Sequence, residues 1–189
     1  YNIKAPSYEK IFDTYEFDVV IYLASELSYD TTPESDAEAL RSVLENASKK
    51  CPDTRFLYIS SLDCAFNEKS GRSVLAHSKE NLCEYYHGEY CLDIKIIRIP
   101  YLYSAFKKGD FLERIFEQMK YKNTITLKDG ALSKSYFLSS TDLCELVVRL
   151  LDNWNEGIGI LQINDEFNIT FNDIYEKLAS FRSDIKADF

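Results

Sequence analysis

Three groups of residues carry side chains that could do chemistry. Cys83, His87 and Cys91 fall at i, i+4 and i+8 and offer two thiols and an imidazole to a zinc ion. Eight residues of helix span about 12 Å, far more than ligands at ~2.0–2.3 Å from one ion can bridge. At most two of the three can meet one metal, so buried free thiols are the better reading and no metal site is expected. Ser60, Ser61 and Asp63 include a nucleophile candidate. No histidine lies near them in sequence, and His87 reaches them only by unusual packing, which sets a hydrolase aside. Tyr85, Tyr86, Tyr90, Tyr101 and Tyr103 could stack nucleic-acid bases. The net charge of -9 and pI near 4.8 repel phosphate backbones, so these rings belong to core and rim packing and no nucleic-acid partner is expected.

The elements that must position such residues fit one ordinary domain, or one domain with a small lobe, in 189 residues. A hydrophobic share of 46% can fill its core. No apolar run of about 18 residues exists, so no membrane partner is expected. The five cysteines are scattered and odd in number, with no C-x-x-C pair, which suits a reducing cytoplasm.

The run Phe17 to Ser25 is apolar and rich in β-branched residues, and reads as a strand buried on both faces. Thr32 and Pro33 open a helix with an apolar stripe of Ala37, Leu40, Leu44 and Ala47. Arg55 to Ser61 is the next strand, Leu75 to Tyr86 a helix that Gly88 ends, and Ile94 to Ile99 a strand stopped by Pro100. This alternation is the rhythm of a parallel α/β sheet. After Ser104 the pattern changes. Asp110 caps a helix bearing Phe111, Ile115, Phe116 and Met119, and Thr124 to Lys128 is a short strand closed by a turn at Asp129 and Gly130. Asp142 and Glu145 read as a capping box for a helix carrying Leu143, Leu146, Val147 and Leu150. Gly159 to Ile163 is the last strand, and Thr170 caps a final helix with Ile174, Leu178 and Phe181 inward. The division expected is 1–104 and 105–189.

Several of these segments resemble one family. Asp18 to Ser25 is similar to the D-V-V-I-H-L-A-A strand of the NAD-dependent epimerase/dehydratases, the extended short-chain dehydrogenases. Val43 to Ala47 followed by Arg55 to Ser61 looks like their N-L-L-E-A-A … R-F-V-Y-I-S-S segment, and Ile97 to Tyr103 like L-R-I-P-N-V-Y. Asp129 and Gly130 followed by Phe137 to Leu143, then Ile160 to Asn164, continue the likeness in order and spacing. The resemblance implies an α/β fold: the C-terminal part of a Rossmann-like parallel sheet, lacking the first two βα units, with a small α/β lobe. It implies cofactor contacts at Lys79, at the strand ends Ala24, Ser25, Ser60 and Ser61, and at Pro100.

The departures from the family are chemical. The family's glycine-rich phosphate turn is absent from these residues, so no cofactor is expected for this chain, and NAD only if an upstream glycine-rich segment exists. The family's substrate-binding Ser or Thr aligns with Leu62, and Ser61, one residue earlier, faces the other side unless the strand bulges. The proton-shuttling tyrosine aligns with Leu75, which neither donates nor accepts a proton. Lys79 lies one turn on from Leu75 and points at the old site, where it holds a ligand or simply covers apolar surface. His77, about 200° around the helix from Leu75, faces away and reads as a surface residue.

With no catalytic residues retained, the expected function is a degenerate epimerase/dehydratase-like domain without turnover, a sensory, regulatory or scaffolding module of a larger protein. Its competitors are a fragment of an active nucleotide-sugar epimerase or dehydratase, and an interaction module that binds no small molecule. A nucleotide-like small molecule is the ligand class the resemblance implies. In the family's strand order, the strand Val19 to Ala24 sits beside a first strand that is absent here. Its apolar edge calls for a cover: a second copy across a two-fold axis, residues 1–8 folded back, or an upstream segment of a parent protein, of which a homodimer with antiparallel pairing is the favoured expectation.

Overall fold

A proline at the first turn, an apolar stripe and two lysines in the last turn set one helix of this protein from Pro33 to Lys50. That helix is α2 of the computed structural model, which describes residues 9–23, 33–65, 71–103, 111–121, 124–126, 134–135, 137–163, 169–181, 184 and 186–188. In chain order the elements are α1 (Glu9–Thr14), β1 (Val19–Tyr22), α2 (Pro33–Lys50), β2 (Arg55–Ser61), α3 (Gly71–Tyr90), β3 (Asp93–Ile99), β4 (Tyr101–Tyr103), α4 (Phe111–Tyr121), β5 (Thr124–Thr126), β6 (Lys134–Ser135), β7 (Phe137–Ser139), α5 (Ser140–Asp152), β8 (Gly159–Gln162), β9 (Ile169–Thr170), α6 (Phe171–Ala179) and β10 (Lys186–Asp188). A 3-10 turn, Leu62–Ala65, follows β2.

The protein is α/β. Strands β1, β2, β3 and β8 form one parallel sheet in that order. The chain divides into two compact units, 1–99 with 155–163 and 100–154 with 164–189, so β8 returns to the first unit to complete its sheet. Two side chains of β3 hold the turn before β8. Asp93 accepts a hydrogen bond from the backbone N–H of Gly157 at 3.0 Å, and Lys95 donates to the Gly157 carbonyl. Gly157 has a φ of 94°, which favours glycine, and a Cβ at Gly159 would press on the Lys95 side chain at 3.1 Å.

The core of the first unit lies where α2 and α3 cover the sheet. Leu40, Leu44 and Ala47 of α2, Phe56 of β2, Cys83 of α3 and Leu92, Ile94 and Ile96 are all fully buried. β2 and β3 bury consecutive residues, as central strands covered on both faces do. β1 differs from the doubly buried strand its sequence suggests. Only Tyr22 is buried and Ile21 is 40% exposed, because β1 is the outer strand of the described sheet and has β2 on one side alone. Gly88 does not end α3 either. The helix runs to Tyr90 and stops where Cys91 adopts a left-handed φ of 56°, with the His87 ring Nδ1 and the Leu92 carbonyl 2.8 Å apart beside it.

The second unit is built from shorter pieces. Ile115 of α4 and Ile125 of β5 are buried, with Met119, Ile174, Tyr175 and Leu178 half-buried around them. β4 pairs with β7 and β10 with β5 in parallel, and β6 pairs with β9 antiparallel. Thr170 caps α6 in a reciprocal capping box with Asp173. The cap of α5 is Ser139, whose hydroxyl accepts from the Asp142 N–H at 3.0 Å; Asp142 is thus the third helical residue, not the cap. Phe116 and Phe181 face solvent rather than the core, since the helical stripe is already filled by Ile115 and Met119 in α4 and α6 has ended before Phe181. The expected turn at Asp129–Gly130 and the caps at Thr32 and Asp110 lie outside the described residues.

Candidate functional site

The chemistry-bearing residues gather along α3, at the C-terminal end of β2 and on β3. α3 begins shortly after the 3-10 turn and runs across the sheet, so its successive faces meet different partners. Lys79 is 3% exposed, and its ammonium forms an ion pair with the carboxylate of Asp36 in α2, itself 4% exposed. Asp36 was not singled out in the sequence, yet its spacing of four residues before Leu40 and eight before Leu44 places it on the apolar stripe of α2. A carboxylate on such a stripe requires a buried partner, because an unpaired charge there is too costly to desolvate.

One residue further, Glu80 faces the sheet. Arg98 of β3 grips it with Nε 3.0 Å from Oε1 and Nη2 2.6 Å from Oε2, and the Ser60 hydroxyl donates to Oε1 at 2.6 Å. Burial pushes the Glu80 carboxyl up, but the hydrogen bonds from Arg98, Ser60 and Cys64 outweigh it and hold the group below its ordinary range. The Cys64 sulfur, on the 3-10 turn, is 3.8 Å from Ser60 Oγ. Burial, then the nearby Glu80 charge, pushes its thiol up to about 12, which keeps it protonated at neutral pH. Sequence reasoning missed Glu80 and Arg98. The available signal was an arginine inside the apolar strand Ile94–Ile99, a position that demands a counter-charge.

The sequence-derived site residues therefore divide. Ser60 is buried and committed to Glu80, while Ser61 is half-buried. The β2–β3 register runs unbroken from Arg55↔Asp93 to Ser61↔Ile99, so no bulge turns Ser61 toward the face of Leu62. Leu62 is buried, Leu75 half-buried, and Pro100 half-buried between β3 and β4. Ala24 and Ser25 lie outside the described residues. Cys83 is fully buried, His87 is engaged at Leu92 and Cys91 is exposed, so these three share no site.

This arrangement of parallel sheet, covering helices and lysine-bearing helix is that of a known family. The family model of the NAD dependent epimerase/dehydratase family matches residues 3–169, and the chain belongs to that family. Among solved structures it is similar to UDP-glucuronic acid 4-epimerase from Bacillus cereus in complex with UDP-glucuronic acid and NAD. That match has a TM-score of 0.82 at 20% identity, covering 100% of this chain and 67% of that one. It is also similar to UDP-glucose 4-epimerase from Thermotoga maritima with UDP-glucose (TM-score 0.77, 15% identity, 95% and 67% covered). A third is the dTDP-glucose 4,6-dehydratase of Streptomyces venezuelae with NAD bound (TM-score 0.76, 18% identity, 91% and 61% covered). The chain thus spans about two thirds of the length of the structures it matches. No curated protein matches the chain significantly.

The described residues offer little to the NAD that the Bacillus cereus epimerase and the Streptomyces venezuelae dehydratase hold. The ammonium of Lys79 is buried and paired with Asp36, and Leu75 brings no hydroxyl to the same face. What the arrangement does chemically is bury two adjacent ion pairs, Lys79–Asp36 and Glu80–Arg98, and tie α3 to both α2 and the sheet.

Proposed function

We propose that this chain is an epimerase/dehydratase-family domain that does not turn over a nucleotide sugar and acts as a regulatory, sensory or scaffolding module of a larger protein. The observation that carries the reading is the buried Lys79–Asp36 pair one helical turn from Leu75. General acid–base help is worth roughly 10²–10⁴ in rate, and neither Leu62 nor Leu75 can give it. The competing reading, a part of an active nucleotide-sugar epimerase or dehydratase, draws on the two-thirds span of the matched structures. One assay separates the two: the protein is incubated with NAD and UDP-glucuronic acid or UDP-glucose, and interconversion and NADH formation are followed. No turnover is expected, and measurable turnover overturns the proposal. NAD binding is expected to be weak or absent by calorimetry; micromolar affinity would show that Lys79 can leave Asp36 for a ligand. A melting shift with a nucleotide sugar alone would favour a sensory role over a pure interaction module.

The proposal extends to a partner. Among the described residues no strand pairs with the outer side of β1, where Ile21 and Leu23 are exposed. A second copy pairing antiparallel across a two-fold axis is the occupant we favour, since an apolar edge without charge after Asp18 recruits a strand. Light scattering is expected to show a dimer that Ile21→Lys splits; a wild type monomeric at high concentration refutes it. A reducing, cytoplasmic setting suits five free cysteines, and no helix among the described residues is long and apolar enough to cross a membrane.

A further inference from the structure

We propose that Cys64, His77 and Glu80 form a binding site for one zinc-class divalent cation, on the flank of α3 turned away from Leu75. The three donor atoms lie within 4.8 Å of one another. Ligands at about 2.0–2.3 Å in a tetrahedral shell stand roughly 3.3–3.8 Å apart, so closing the site needs a contraction on the order of 1 Å. His77 can supply it. Its side chain is exposed, has no hydrogen-bond partner among the described residues, and sits one turn before Glu80 on the same helical face.

The other two ligands are already positioned. Glu80 is buried and oriented by Arg98 and Ser60, the kind of outer support that ligating carboxylates have. Cys64 is delivered by the 3-10 turn after β2, with its sulfur 3.8 Å from Ser60 Oγ. A thiolate and an imidazole select zinc over magnesium or calcium, which take oxygen ligands. On binding, the Cys64 S–H proton leaves to solvent and a sulfur–metal bond forms. The dication, the Cys64 thiolate, the Glu80 carboxylate and Arg98 then sum to one positive charge, where the metal-free site sums to none. A water completes the shell of three protein ligands. The site is independent of the cofactor-facing side of the helix, so it stands or falls apart from the proposal of no turnover.

The test uses the full chain with the exposed thiols removed, Cys91→Ser with Cys144→Ser, stripped by chelator and titrated with Co²⁺. One Co²⁺ per chain is expected, with a thiolate-to-cobalt charge-transfer band and the visible bands of tetrahedral cobalt, both erased by one equivalent of Zn²⁺. Cys64→Ser should abolish the charge-transfer band. His77→Ala, at an exposed position that spares the fold, should weaken Co²⁺ binding at least about tenfold. Absence of the charge-transfer band in the parent, or His77→Ala binding within about twofold of it, overturns the site. Should Cys64→Ser fail to fold by circular dichroism, the His77→Ala result decides alone.

Discussion

The two units of this protein bury their residues in opposite ways. In the first, two long helices lie on a four-stranded sheet, and the core is deep enough to enclose Lys79, Asp36, Glu80 and Lys95 as well as its apolar residues. In the second, the strands are two or three residues long and only Ile115, Ile125 and Leu143 among its described hydrophobic residues are buried. The described charged residues of the second unit stay at the surface, as in the exposed capping box of Thr170 and Asp173. The difference teaches that charge is buried here only where continuous strands and helices can supply a partner for it. Removing a partner in the first unit should therefore hurt far more than removing a contact in the second.

The largest effect is expected at the Lys79–Asp36 pair. Lys79→Met leaves a carboxylate buried without its counter-charge and should cost about 3–5 kcal/mol in urea unfolding, while Lys79→Met with Asp36→Leu should recover most of it. A loss under about 1 kcal/mol for the single variant would mean the pair is not desolvated as described. Next comes a matched truncation. Leu44→Ala, in the fully buried stripe of α2, should cost about 2–5 kcal/mol, and Leu178→Ala, half-buried in α6, about 1–2 kcal/mol. Equal losses would erase the contrast between the units. Separate transitions are expected if the units unfold independently, so each variant is compared on its own transition.

The smallest effect is a slope. The folded Glu80 carboxyl titrates below its ordinary value of 4.5, because Arg98, Ser60 and Cys64 outweigh its burial. A depressed carboxyl contributes stability that is fully present above the ordinary value and is lost as pH falls through the folded one. Glu80→Gln should therefore flatten the acid limb of the stability–pH curve below about pH 4.5 and lower stability at pH 7. An unchanged acid limb would assign that limb to other carboxylates.

Much of the scaffold was legible in the chain itself. β2 follows the run Arg55–Ser61 and α2 starts at Pro33, because an apolar, aromatic-rich run and a helix-starting proline are local properties. The family, too, is readable from the order of short segments, each of which is local. The site was legible only in part. Lys79 was visible as a motif residue, but its partner Asp36 is on another helix, and Glu80 meets Arg98 and Ser60 on two different strands. Reading the end of α3 at Gly88 missed the left-handed turn at Cys91, since a glycine in a helix is a modest penalty that packing overrides.

Sequence alone determined that leucine stands at 62 and 75, and a leucine side chain cannot move a proton in any fold. It also determined the alternation of strands and helices, because period and propensity act over a few residues. Only the tertiary structure decided what the remaining charges do. Whether Lys79 faces a ligand or a carboxylate, whether His77 stands alone or beside Cys64 and Glu80, and whether β1 is enclosed or an edge all depend on which distant elements pack together. Burial makes those choices energetically large, and burial is a property of the assembled core rather than of any segment.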